Sequence, residues 1–121
     1  LRNPGRYASC SAFAPIVQPM TADWSRPALA AYLGPDEAEW RKWDAVALIS
    51  DGARLPALLV DQGRADSFLE TGLRPWLLEE ACRKAMIPLT FRIHDGYDHS
   101  YYFISSFMAD HVAWHVARLA G

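Results

Sequence analysis

Cysteine is scarce in this sequence. There are two, Cys10 and Cys82, far apart and with neither a CxxC partner nor a metal-ligand spacing. That removes a cysteine metal site, leaves a disulfide unsupported and points to two buried or half-buried thiols in a reducing compartment, the cytoplasm by default. Long apolar runs are missing too. No stretch approaches the roughly 18 residues of a membrane span, and the opening Leu1-Arg2-Asn3-Pro4-Gly5-Arg6 has no signal-peptide core. Basic residues are not in excess: twelve Lys+Arg stand against fourteen Asp+Glu, a net charge of −2. The electrostatic footprint of nucleic-acid binding is therefore absent. Repeats, low-complexity tracts and an initiator Met are lacking as well, and the last implies a chain that begins inside a longer one. What remains is apolar: 51% of 121 residues, enough for the core of one domain at most.

Pro and Gly in Asn3-Pro4-Gly5 read as the end of a helix. Tyr7 to Ile16 is small and apolar and reads as a strand. From about residue 18 to residue 50 the chain is rich in Pro and Trp, which suits an excursion of short helices better than a sheet element. Within it, Asp36 caps a helical pattern with Glu37 and Glu39 in the first turn, and a break near Trp43-Asp44 lets Asp44 cap a second helix. Leu55 to Val60 is a continuous apolar run, the mark of a strand covered on both faces, and it leads into Asp61-Gln62-Gly63, read as a polar turn. Leu73 to Met86 is an amphipathic helix, Pro88 to Ile93 a strand, and about Tyr101 to Leu119 a long closing helix. Strand, excursion, helix, strand, helix, strand, helix implies right-handed crossovers and an α/β parallel sheet of about three strands with helices on both faces.

Ligands of open α/β sheets bind beyond the C-terminal ends of the strands. Two polar segments leave such ends here, Asp61 to Asp66 and His94 to Ser100. An acid after one strand and a histidine after the next are the last two members of a serine–acid–histidine triad in its α/β-hydrolase order. Asp66 and His99 are 33 residues apart (99 − 66), room for one helix and one strand. A serine hydroxyl is a poor nucleophile at neutral pH, so a histidine must take its proton. The carboxylate fixes the tautomer of that histidine and stabilises the imidazolium. Spacing alone does not choose between Asp66 and Asp61, and aspartates after strands are commonly turn formers.

The strings themselves go further. Asp61-Gln62-Gly63…Asp66-Ser67-Phe68-Leu69, Gly96-Tyr97-Asp98-His99-Ser100-Tyr101-Tyr102-Phe103-Ile104 and Ser106-Phe107-Met108-Ala109-Asp110-His111 resemble the S-formylglutathione hydrolase (esterase D) family. So do Asn3-Pro4-Gly5-Arg6-Tyr7, Ser11-Ala12-Phe13-Ala14-Pro15-Ile16 and Tyr32-Leu33-Gly34, so the likeness runs over nearly the whole chain. It implies the C-terminal part of a single α/β-hydrolase domain spanning residues 1–121, with the catalytic acid on Asp66, ahead of Asp61, and the catalytic histidine on His99. It implies cleavage of the thioester S-formylglutathione to glutathione and formate, a step in formaldehyde detoxification, with general carboxylesterase activity, no cofactor and a homodimer. The family's nucleophile sits in a Gly-x-Ser-x-Gly elbow, and no such motif occurs in these residues. The missing N-terminal segment would supply the serine and the oxyanion hole, and the chain alone is expected to be inactive. The rivals are a relative acting on another ester or acyl thioester, and a non-catalytic binding module.

Other residues carry plainer readings. Ser100 caps the last helix, and Asp98 shapes its loop. His111 and His115 have a zinc-like i, i+4 spacing but no third ligand, and read as a solvated or interface helix face. Trp24, Trp40 and Trp43 line either an acyl or glutathione pocket or a small subdomain core. Tyr97, Tyr101 and Tyr102 pack the histidine loop. Cys10 and Cys82 are inert core thiols.

Overall fold

A computed structural model describes residues 1–121. Four of its elements precede the central strand: β1 (Cys10–Phe13), then α1 (Arg26–Leu33), α2 (Glu37–Arg41) and α3 (Ala45–Ser50), with a 3-10 turn at Pro19–Thr21. The central strand β2 (Leu58–Gly63) is followed by α4 (Trp76–Ala85), β3 (Leu89–His94) and α5 (Tyr101–Leu119). The three strands are parallel in the order β1-β2-β3.

Side chains alternate across β2, so its two faces meet different partners. Leu58 and Val60 join Val46 and Ile49 of α3 and Leu78, Ala81 and Cys82 of α4 in the apolar core. Each such side chain contributes about 1.5–3 kcal/mol by leaving water. The opposite face, carrying Leu59 and Asp61, lies under α5. Asp36 and Asp44 cap α2 and α3 as their sequence pattern predicts, accepting from the Ala38 and Ala47 amides at 3.0 and 2.8 Å.

The strand expected over Tyr7–Ile16 pairs only from Cys10 to Phe13, because Ala14 adopts a left-handed φ of 44° and turns the chain away. Within these residues Cys10 lies on the outer edge of β1, where the sequence reading placed a core thiol, and Cys82 is buried as expected. Asp61-Gln62-Gly63 is the end of β2, fully buried, and not a turn. The helix expected from Leu73 starts at Trp76, after a π-helical turn at Leu69–Leu73. Asn3 to Arg6 forms a turn, closed by the Arg6 amide donating to the Asn3 carbonyl.

Candidate active site

Parallel pairing puts the C-terminal ends of β2 and β3 side by side, and the two loops that leave them are tied together. The Arg64 amide donates to the His94 carbonyl and the Ala65 amide to the Tyr97 carbonyl, both at 2.9 Å. Gly63 makes this approach feasible. A Cβ there would stand 2.3 Å from the Tyr97 carbonyl oxygen and 2.8 Å from that of Asp98, closer than atoms can sit. Gly96, at φ 79°, supplies the left-handed residue that turns the chain from β3 towards His99.

In this frame His99 Nδ1 donates to Asp66 Oδ2 at 2.7 Å. The Asp66 carboxylate is shut off from solvent, while the His99 side chain is 44% exposed. Every oxygen of that carboxylate is held. Oδ1 accepts from the Phe68 amide at 2.8 Å, and Oδ2 also accepts from Gln62 Nε2 at 2.9 Å. Phe68 meets the His99 ring edge-on, with centroids 5.3 Å apart. His99 Nε2 has no hydrogen-bond partner in the chain and opens on a cavity of about 450 Å³ lined by Ala14, Ile16, Trp24, Phe68 and Leu73. An imidazole pinned at one nitrogen and free at the other is set up to move a proton at the free one.

The tryptophans divide. Trp24 walls the cavity, lying so close to Gly72 that a Cβ there would fall 2.2 Å from its indole nitrogen. Trp40 is buried and donates to the Gly34 carbonyl at 2.8 Å, as a subdomain core residue. Trp43 is exposed beneath the Arg2 guanidinium. Tyr97 packs on Tyr102, Phe103 and Phe107, whereas Tyr101 is exposed. Ser100 occupies the position before α5 without a side-chain cap bond.

Asp61 does not share this site. Its carboxylate accepts from Arg92 Nε and Nη2 at 2.6 and 2.5 Å, from His94 Nε2 at 3.1 Å and from His111 Nε2 at 2.9 Å. Burial pushes the carboxyl up, and these three partners outweigh it and hold it below the usual range. Arg92 is held protonated more firmly still by its bonds to Asp61 and Asp110. Of the two readings of His111 and His115, a solvated or an interface helix face, the contacts select the interface. His111 is buried, stacked on Phe13 at 3.8 Å and bonded through Nδ1 to Ser11. His115 reaches Ser9 and Ser11 at 2.7 and 2.9 Å. The pairing that builds this cluster, Asp61 opposite Arg92, exists only once β2 and β3 are aligned.

The family model of a putative esterase matches residues 1–115. The chain belongs to that esterase family. It is 47% identical over 122 residues to an S-formylglutathione hydrolase of Mus musculus, covering 98% of this chain and 43% of that protein. It is 65% identical to a solved S-formylglutathione hydrolase from Agrobacterium tumefaciens, with a TM-score of 0.94 over 98% of this chain and 43% of that one. The chain thus spans less than half the length of these relatives. The three parallel strands and their helices match the C-terminal part of that hydrolase fold.

Proposed function

We propose that this chain is the acid–histidine portion of a serine hydrolase that cleaves S-formylglutathione to glutathione and formate, a step in formaldehyde detoxification. The observation that carries the reading is the 2.7 Å bond between His99 Nδ1 and Asp66 with Nε2 free over the cavity. The esterase match and the likeness to two S-formylglutathione hydrolases support the substrate and general carboxylesterase activity. In this reading His99 Nε2 takes the proton of a serine hydroxyl as its oxygen attacks the thioester carbonyl. It then returns the proton to the departing glutathione sulfur, leaving a formyl-enzyme. Water repeats the cycle: His99 removes its proton, formate leaves, and the serine oxygen regains a proton. Asp66 holds the tautomer and stabilises the imidazolium.

The serine and the oxyanion hole would come from a segment outside these 121 residues, with residues 1–121 the C-terminal portion of one domain. The unpaired edge of β1 and the neighbouring groove of about 460 Å³, lined by Leu1, Ile16, Ile49, Leu55 and Leu78, offer such a segment a sheet edge and an apolar wall. No helix is long and apolar enough to cross a membrane. Two unpaired thiols fit the cytoplasm, and a homodimer is part of the same reading.

The test is a steady-state assay with S-formylglutathione and a small aryl ester. The chain alone should show no turnover, since nucleophile and oxyanion donors are both lacking. Turnover should appear when a segment bearing the serine elbow is supplied, covalently or as a second chain. Activity of the isolated chain, or a reconstituted His99→Ala protein near full activity, would refute the reading.

A further inference from the structure

Gln62 lies at the end of β2 with its side chain wholly removed from solvent. Its Nε2 donates to the Gly63 carbonyl at 3.1 Å and to Asp66 Oδ2 at 2.9 Å, the oxygen that also receives His99 Nδ1. Its Oε1 is buried with no partner at all. A buried amide with an unpaired carbonyl is a costly choice where an apolar side chain would serve for packing alone. The opposite rotation of the amide would aim Oε1 at a carboxylate, so the charge on Asp66 fixes which end faces it. The strand gives Gln62 a rigid mount, whereas Asp66 sits on a turn. Its second anchor, the Phe68 amide, belongs to the same turn and would move with it.

From this geometry we infer that Gln62 is a positioning residue of the acid–histidine pair, clamping Asp66 Oδ2 in the place from which it orients His99. The inference rests on the proposed hydrolase reading. The Gln62 N–H ties the turn-borne carboxylate to the sheet. It also occupies one lone-pair direction of Oδ2, which leaves the other to the imidazole and so sets the direction in which His99 Nε2 points.

The test is a double-mutant cycle in the enzyme reconstituted with its serine-bearing segment, using Gln62→Met, which keeps the length but removes both donors, and Asp66→Asn. Gln62→Met should lower kcat about ten- to a hundredfold, the size of effect that a displacement of about 1 Å at a reacting group produces. KM should stay within about twofold, because the substrate is not touched. In the Asp66→Asn background the same change should alter kcat by less than about twofold, since Gln62 acts only through that carboxylate. A role confined to stability would lower Tm and leave kcat alone in both backgrounds. A second measurement needs no Gln62 variant: in the reconstituted enzyme one Gln62 amide proton should resonate at low field, and that shift should be lost in Asp66→Ala, which offers it no acceptor. Full kcat in a folded Gln62→Met protein, equal losses in both backgrounds, or a Gln62 amide signal indifferent to Asp66→Ala would each overturn the inference. If Asp66→Asn itself leaves kcat intact, the hydrolase reading fails first, and the two failures are told apart.

Discussion

Asp61 and Asp66 lie on the same short stretch of chain, and each holds an imidazole at hydrogen-bond distance, yet their surroundings are opposite. The Asp61 cluster is closed. Both nitrogens of His111 are bonded, the ring is stacked on Phe13, and Arg92 neutralises the carboxylate. The Asp66 pair is open: His99 is half-exposed, its Nε2 is unbonded, and no arginine reaches the acid. An acid–histidine contact is therefore not in itself a catalytic sign. What distinguishes the open pair is a free nitrogen at the mouth of a cavity, at the strand ends where the fold presents ligands. The closed pair fastens β2 and β3 to α5.

The sharpest way to break this contrast is to remove each histidine in the reconstituted enzyme. His99→Ala should cost kcat several orders of magnitude with little change in stability. His111→Ala should leave kcat within a few-fold and lower stability by about 3 kcal/mol, because a buried carboxylate loses a partner and a cavity opens. Paired measurements of kcat and urea unfolding decide it, and the contrast collapses if the two variants behave alike.

Exchanging the acids gives a somewhat smaller separation. Asp66→Asn is expected to reduce kcat by roughly a thousandfold or more through the wrong His99 tautomer, with stability nearly unchanged. For Asp61→Asn the expectation reverses, with kcat near normal and a clear drop in the urea midpoint. Gly63→Ala tests the frame that brings the loops together. Its methyl group would strike the Tyr97 carbonyl, so the His99 loop must shift, and kcat should fall about a hundredfold while Asp61 keeps its partners. A Gly63→Ala enzyme at full speed would show that the approach of the loops does not matter.

A pH dependence separates the clusters more gently. The Asp61 carboxyl is depressed in the folded state, so its contribution to stability is complete above an unfolded value of about 3.9. It is lost as pH falls through the lower folded value. Stability below about pH 4 should therefore fall less steeply in Asp61→Asn than in the parent, and parallel acid-unfolding curves would count against the closed cluster. The smallest effects belong to the thiols. Burial pushes the Cys82 thiol up and keeps it unreactive, so Cys82→Ala should cost about 1 kcal/mol of packing with kcat unchanged. Cys10→Ser should likewise leave kcat unchanged, and a hundredfold loss of kcat in either would expose a missed role.

The sequence by itself determined a good deal. Alternation of apolar runs with amphipathic segments specified three parallel strands, since a run such as Leu58-Leu59-Val60 is stable only when covered on both faces. Asp36 and Asp44 marked their helix starts because capping is a local interaction. The spacing of an acid and a histidine after successive strands, with the GYDHSYYFI string, pointed to Asp66 and His99, and those two side chains do meet. The tertiary structure alone decided what Asp61, Gln62, His111 and His115 contact. Helical spacing on the closing helix left a solvated and an interface face open and did not name the polar strand residues that cover it. Polar side chains change from solvated to interior only when a partner arrives from a distant part of the chain, and Ser11 to His111 spans 100 residues. Local patterning carries no record of that meeting, because the hydrogen bonds that make such burial tolerable exist only once the sheet and the helix have packed.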